Sequence, residues 1–397
     1  MPPLPAAVAT PTAAALRAWC VRAMPGFRRD LRELVSIDSG SASPAGVDAA
    51  GDWCAARLLD LGFEVERQPT PAVGAERFGG VVVGRLRGSG RARILLFAHL
   101  DTVFADGTAA ARPYREEGGR AYGPGVCDDK GGALAGLYAA QCLIESGFTG
   151  FAELVLAFTP DEEVGSPASR PLLATLATGM DAALCLECAR ENGDLVSARK
   201  GVADVRVEVR GRAAHAGVEP HRGRNAAVEA ARLLLDVHGL NGARRGLTVN
   251  IGVVQAGERA NVVAAAASLH GEVRAETLDD LEWALTRIEM RANETVVPGV
   301  TAIAERGDVC PPLEGSSTSG LLAAAHVVAG ELGLRMDAAA TGGVSDANFV
   351  AATGVPVLDG LGPIGGDDHA ESEWLDLGSV PDRVALLAGL VIRVASG

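Results

Sequence analysis

Lysine is almost missing from this chain, occurring only at Lys130 and Lys200, and aromatic residues make up just 4% of it. Arginine supplies nearly all the positive charge, yet the formal net charge is -14. Nucleic-acid binding draws its affinity from Lys and Arg on phosphates, so that balance argues against a nucleic-acid partner. No basic run is present to meet anionic lipid, and no apolar stretch is long enough to span a bilayer, so no membrane partner is expected. The start of the chain, with Pro2, Pro3 and Pro5 ahead of Ala-rich sequence, has neither a basic segment nor a clean apolar core and reads against a signal peptide.

Seven cysteines, odd in number and scattered, do not make a disulfide framework and point to a cytoplasmic setting. Cys185 and Cys188 form a C-x-x-C at the end of an apolar strand, with Glu187 between them. No second pair follows, so it reads as neither a redox motif nor a zinc clip.

A length of 397 residues, 48% of them apolar, is enough for two domains with substantial cores. From Ile94 to Glu187 short apolar runs alternate with helical stretches: strands at Ile94 to Ala98, Leu154 to Phe158 and Ala182 to Leu186, with a helix from Lys130 to Ser146. That alternation predicts an α/β domain with a mainly parallel sheet and helices on both faces. Near Lys200 the style changes. Val202, Val205, Val207 and Val209 open an alternating strand, a helix runs from about Arg224 to His238, and strands follow at Leu247 to Val254 and Ser268 to Arg274. A second helix at Leu278 to Asn293 and a strand near Val300 to Ala304 complete an α+β unit of four strands and two helices. After Pro311-Pro312 the first style returns, with helices near Thr318 to Leu332 and Pro381 to Ala395. The expected organisation is a discontinuous catalytic domain at 1–199 and 310–397 with an insertion at 200–309.

Acidic and imidazole groups follow the strands of the first style. His99-Leu100-Asp101 ends one apolar run. A strand sets residues i and i+2 on one side, so Asp101 can accept from the non-metal nitrogen of His99 and orient it as a ligand. Asp128 sits among Gly125, Gly131 and Gly132, which let backbone approach a crowded site, and reads as a ligand bridging two ions. Its neighbour Asp129 reads as an N-cap or a helix-dipole charge. Of the adjacent pair after the next strand, Glu163 is assigned to metal and Glu162 to proton transfer. Glu187 and a late His369 complete the set. Asp128, Glu163, Glu187 and a bridging hydroxide balance two divalent cations, and buried carboxylates without such compensation are costly. Nitrogen and oxygen donors without thiolate suit zinc, with cobalt or manganese as substitutes.

Other classes fit less well. Gly360-Leu-Gly362-Pro-Ile-Gly365 is a literal GxGxxG, but a dinucleotide loop must open directly into a helix. Here Asp367, Asp368 and His369 follow, then an extended Trp-Leu-Asp, which suggests a turn that delivers His369. No Gly-x-Ser-x-Gly elbow is present for a serine hydrolase. A binding protein that had lost catalysis would show a damaged ligand set or a missing base.

From about Leu95 to the C-terminus the chain resembles the M20 metallopeptidases, especially their glutamate carboxypeptidase and N-acyl amino acid deacylase branches. The carriers are His-Leu-Asp-Thr-Val from His99, Tyr-Gly-Pro-Gly-Val-Cys-Asp-Asp-Lys-Gly-Gly from Tyr122, Asp-Glu-Glu-Val-Gly-Ser from Asp161, Gly-Arg-Ala-Ala-His-Ala-Gly from Gly211, Gly-Gly-Val-Ser-Asp-Ala from Gly342, and His369. The resemblance implies two zinc ions: one on His99 and Glu187, the other on Glu163 and His369, with Asp128 shared. It implies Asp101 as the residue orienting His99, Glu162 as the base, and an inserted domain that forms a homodimer. His215 would cross the dimer interface to steady the oxyanion in the partner's site, and Asn261 and Arg274 would hold the substrate carboxylate. Ala264 stands where the family usually has Pro, a departure beside Asn261. A Glu at position 187 favours substrates with a free carboxylate and a blocked amine. The expected reaction is hydrolysis of an amide by a metal-bridged water, releasing a C-terminal amino acid such as glutamate, with deacylation of an N-acetyl or N-succinyl amino acid as the alternative.

Overall fold

The computed structural model describes residues 10–397, so the proline-rich start lies outside the described residues. The backbone divides into two compact units. The first runs through Ser197 and resumes in Gly315–Ala340 and Ser345–Gly397; the second holds Ala198–Glu314 with Thr341–Val344.

In the first unit a six-stranded sheet has the spatial order Glu64–Gln68, Val81–Arg87, Glu153–Thr159, Arg93–His99, Ala182–Cys185, Val357–Leu358. The last four of these are mutually parallel, and the first two pair antiparallel. Ile94, Leu96, Leu154, Leu156 and Leu184 share one core with the helices Ala13–Val35, Pro44–Asp60, Lys130–Glu145 and Val380–Ser396. Leu95, Phe97, Val155, Ala157 and Ala183 alternate with them and are also fully buried. Burial on both faces is what makes these strands read as unbroken apolar runs. Truncating Phe97 to Ala would cost about 3–5 kcal/mol. The short helix Asp346–Ala351 packs against Ala182–Cys185 and Val357–Leu358.

The register decides where chemistry can occur. His99 pairs with Thr159, Phe97 with Cys185, and Leu184 with Leu358, so the carboxyl ends of four neighbouring strands line up along one edge. The loops that leave that edge carry Asp101, Glu162, Glu163 and Glu187.

The second unit is an antiparallel sheet in the order Thr248–Ala256, Ala266–Ala275, Gly201–Arg210, Thr301–Cys310, with helices Ala226–His238 and Leu278–Asn293. The inward face of its longest-paired strand is Ala203, Val205, Val207 and Val209, with Val202 on the other face, a shift from the run expected above. Thr277 Oγ1 accepts the Asp280 N–H at 3.2 Å to cap the second helix, a contact worth about 1 kcal/mol.

Two features have no counterpart in the local sequence pattern. Residues before Ile94 supply two long helices and two strands, and Trp374–Asp376 joins Gly365–Gly366, Arg120–Tyr122 and Arg115–Glu117 in a small antiparallel sheet. The GxGxxG loop therefore enters a hairpin rather than a helix, and His369 lies in that hairpin's connection.

Candidate metal centre

His99 is the last residue of its strand and is buried, which fixes its ring between neighbouring strand ends. Its Nε2 lies 3.0 Å from Asp128 Oδ1 and 3.7 Å from Glu187 Oε1. Across the same carboxylate, His369 Nε2 lies 3.1 Å from Asp128 Oδ2 and 2.9 Å from Glu163 Oε2. Asp128 thus offers a separate oxygen to each imidazole. Donors sharing one tetrahedral zinc at bond lengths near 2.0–2.1 Å stand about 3.3 Å apart, so both groups have ligand spacing. Within each group the three donor atoms fall inside 4.8 Å of one another.

The site concentrates strongly shifted titratable groups. Burial raises Asp128, but hydrogen bonds to His369 and His99 outweigh it and hold this carboxyl below its ordinary range. Those with Asp128 and Glu163 push His369 up to about 11. Burial drives Glu162 well above the usual carboxylate range, with His99 opposing and Glu187 adding to the rise. Divalent ions held by these residues would supply the positive charge that so many buried carboxylates need. The donor set, two imidazoles and three carboxylates converging at ligand spacing, fits such a pair.

Asp101 reaches both His99 and the loop that carries the two glutamates. The nearest acceptor to His99 Nδ1 is the Asp101 backbone carbonyl at 3.0 Å, with the Asp101 carboxylate at 3.3 Å. That carboxylate accepts the backbone N–H groups of Glu162 at 3.0 Å and Glu163 at 3.2 Å, and Ser41 Oγ donates to it at 2.6 Å. One buried side chain therefore ties the His99 strand to the loop bearing both glutamates.

Asp129 occupies the N-cap position of Lys130–Glu145 but its side chain makes no capping hydrogen bond. Instead it is buried with neither oxygen hydrogen-bonded, and burial raises its pKa, with Glu187 adding. A Cβ on Gly132 would sit 2.0 Å from Asp129 Oδ1 and 2.0 Å from Leu186 O, so this glycine is what lets the helix approach the site.

Glu373 had no sequence signal, standing in an ordinary polar stretch. It accepts the N–H groups of Gly125 at 2.9 Å, Cys127 at 2.9 Å and Asp128 at 3.2 Å, and so shapes the loop that presents Asp128. Gly125 adopts φ +72°, a left-handed conformation open to glycine. His369 is itself left-handed at φ +64°, an uncommon state for a residue with a side chain. Asp346, in the Gly-Gly-Val-Ser-Asp-Ala motif, is buried and accepts from Thr159 Oγ1 at 2.7 Å and from Ser166 Oγ.

The profile of peptidase family M20/M25/M40 matches residues 95–393. Carboxypeptidase G2 of Pseudomonas sp. (strain RS-16) is 33% identical over 383 residues, covering 94% of this chain and 90% of that protein. The chain belongs to peptidase family M20/M25/M40. It is a member of a family of metal-dependent hydrolases. An acetylornithine deacetylase of Myxococcus xanthus is 35% identical over 254 residues, 60% of this chain and 64% of that one. An aminopeptidase from Bacillus cereus shares the fold, with a TM-score of 0.77 at 22% identity over 94% of this chain and 99% of its own.

Within this M20 chain the remaining expected residues fall in the second unit. His215 is exposed, forms an isolated antiparallel bridge with Val262, and accepts the Gly217 N–H on Nδ1 at 3.1 Å, which leaves Nε2 as the donor. Asn261 is exposed, and its carbonyl accepts the Ala216 N–H at 3.0 Å. Arg274 is half-buried and engaged: it donates to Glu272 from Nε at 2.8 Å and Nη2 at 3.1 Å, and to the Gly342 carbonyl from Nη1 at 2.8 Å. A carboxylate arriving at Arg274 must share or displace Glu272. Among the described residues no helix is long and apolar enough to cross a membrane.

Proposed function

We propose that this chain is a two-zinc carboxypeptidase that releases a C-terminal amino acid of the glutamate type from an amide. The observation that carries the reading is Asp128, whose two oxygens each meet a different imidazole, at 3.0 and 3.1 Å. His99 and Glu187 would hold one cation, Glu163 and His369 the other, with Asp128 between them. When bound, the ions polarise the scissile carbonyl and lower the pKa of water, chemistry that cobalt or manganese also supplies.

The protein's own groups do the rest. Glu162, seated by its backbone N–H on Asp101, takes a proton from the attacking water and passes it to the leaving amine. Asp101 keeps the His99 ring and the glutamate loop in one frame. His215 donates from Nε2 to the developing oxyanion, and Asn261 with Arg274 receives the free carboxylate of the substrate, Arg274 by trading its Glu272 partner. A homodimer through the inserted unit would bring His215 to the partner's site.

Similarity to carboxypeptidase G2 over nearly the whole chain supports the carboxypeptidase reading over the deacylase one, whose relative is matched over 60% of the chain. Zinc-loaded protein assayed side by side on acyl-glutamates, N-acetylornithine and dipeptides tests it. Highest kcat/KM on acyl-glutamates is expected; preference for N-acetylornithine would replace the reading with deacylation.

A further inference from the structure

Three residues that hydrolysis leaves unused cluster beside the metal ligands. Cys127 Sγ lies 3.2 Å from Asp368 Oδ1, and Cys188 Sγ lies 3.8 Å from the same oxygen. The three donor atoms fall within 4.8 Å of one another. Cys127 is buried, Cys188 half-buried and Asp368 exposed, so the cluster opens to solvent on its carboxylate side. Each member is the direct neighbour of a candidate ligand: Cys127 precedes Asp128, Cys188 follows Glu187, and Asp368 precedes His369. The backbone segments that assemble one centre assemble the second.

The geometry suits a cation. With Zn–S near 2.3 Å and Zn–O near 2.0 Å, tetrahedral coordination sets S···O at about 3.5 Å and S···S at about 3.8 Å. The two observed S···O distances straddle the first figure. Two thiolates and a carboxylate carry three negative charges and make a softer donor set than the nitrogen and oxygen groups next door, selecting a thiophilic ion. A carboxylate within reach of both sulfurs is a third ligand that a simple disulfide would not need.

We propose that Cys127, Cys188 and Asp368 form a third cation site, for a thiophilic divalent ion such as zinc or cadmium, whose filling represses hydrolysis. On binding, each thiol gives its proton to solvent and forms a metal–sulfur bond, and nothing is oxidised. Repression follows from the tether, because each donor moves with the ligand one peptide bond away. A displacement of about 1 Å at a catalytic centre costs on the order of 100-fold in rate. The repression rests on the two-metal reading above; the binding does not.

The test titrates cadmium into the zinc-loaded full chain in oxygen-free buffer, reading thiolate-to-cadmium charge-transfer absorption and hydrolysis in the same samples. Expected is absorption that saturates at one ion per chain with a rate loss of about tenfold or more. Cys188→Ala and Asp368→Asn should weaken the absorption, and Cys188→Ala should keep most of its rate through the titration. No absorption in the wild type, or equal absorption in Cys188→Ala, overturns the site. Equal rate loss in Cys188→Ala overturns the coupling, since cadmium would then act at the neighbouring centre. Basal hydrolysis that does not depend on zinc would sink the two-metal reading instead, while the charge-transfer band, which needs only sulfur, would still appear.

Discussion

The Asp101 carboxylate accepts the backbone N–H of Glu162 at 3.0 Å, so the residue that steadies His99 also seats the proposed base. Asn at position 101 keeps one acceptor oxygen but cannot accept from both Glu162 and Glu163. Asp101→Asn should lower kcat by about 10- to 100-fold. Metal content should change little, because His99 Nδ1 retains the Asp101 backbone carbonyl. Elemental analysis beside steady-state kinetics checks this; loss of both ions would mean that the carboxylate acts mainly on His99.

Glu162 lies on none of the contacts that bring the two imidazoles to Asp128. Glu162→Gln is therefore expected to bind the cations normally while turnover falls by about 10²- to 10⁴-fold. Activity near the wild-type level would remove Glu162 from its role as base.

Asp128 belongs to both donor groups, whereas Glu187 and His369 each belong to one. Asp128→Ala should retain neither ion firmly, and Glu187→Ala or His369→Ala should retain one. Stripping the wild type with a chelator should lower Tm by several degrees, since ligand at about 1,000 times Kd stabilises by about 4 kcal/mol. Unchanged melting after verified metal removal would count against ions bridging these loops.

His215 is exposed in the second unit and belongs to neither carboxylate group. If it serves the partner's site, mixing inactive His215→Ala and Glu162→Gln subunits should restore up to about a quarter of wild-type activity, because one of the two sites in a mixed dimer is intact. Failure to recover activity in verified mixed dimers would place His215 in its own subunit's chemistry or outside it.

Arg383 is buried on the helix Val380–Ser396 and donates to the carbonyls of Gly362 at 2.9 Å, Gly193 at 3.2 Å and Gly360. It holds the glycine loop that leads to His369. Arg383→Met should destabilise by roughly 2–4 kcal/mol, since carbonyls lose charged donors inside the fold. Denaturant unfolding measures that loss, and a change below about 0.5 kcal/mol would show that the loop stands without it.

The order of motifs, the alternation of strand and helix, and the change of style near Lys200 were all readable along the chain because each depends on local periodicity. So was a turn, rather than a helix, after Gly360 to Gly365, since an extended Trp-Leu-Asp follows; the hairpin that the turn belongs to was not. Glu373, Arg383 and Ser41 carried no such mark. Their work is to meet backbone groups or a carboxylate far along the chain, and nothing in their neighbours announces that meeting.

The isolated Cys185-Cys188 pair shows the same limit from the other side. Spacing directs attention to the residue three positions away, but the sheet turns Cys188 toward Cys127 and Asp368. What the sequence determined by itself was the chemistry of the donors and the kind of fold that would carry them. Which donors meet, which carboxylate is left without a hydrogen bond, and which thiols come together were decided in three dimensions. The parallel register lines up the strand ends before Asp101, Glu163 and Glu187, while the loop held by Glu373 and the antiparallel hairpin around His369 bring in the rest, distances that no local pattern along the chain can set.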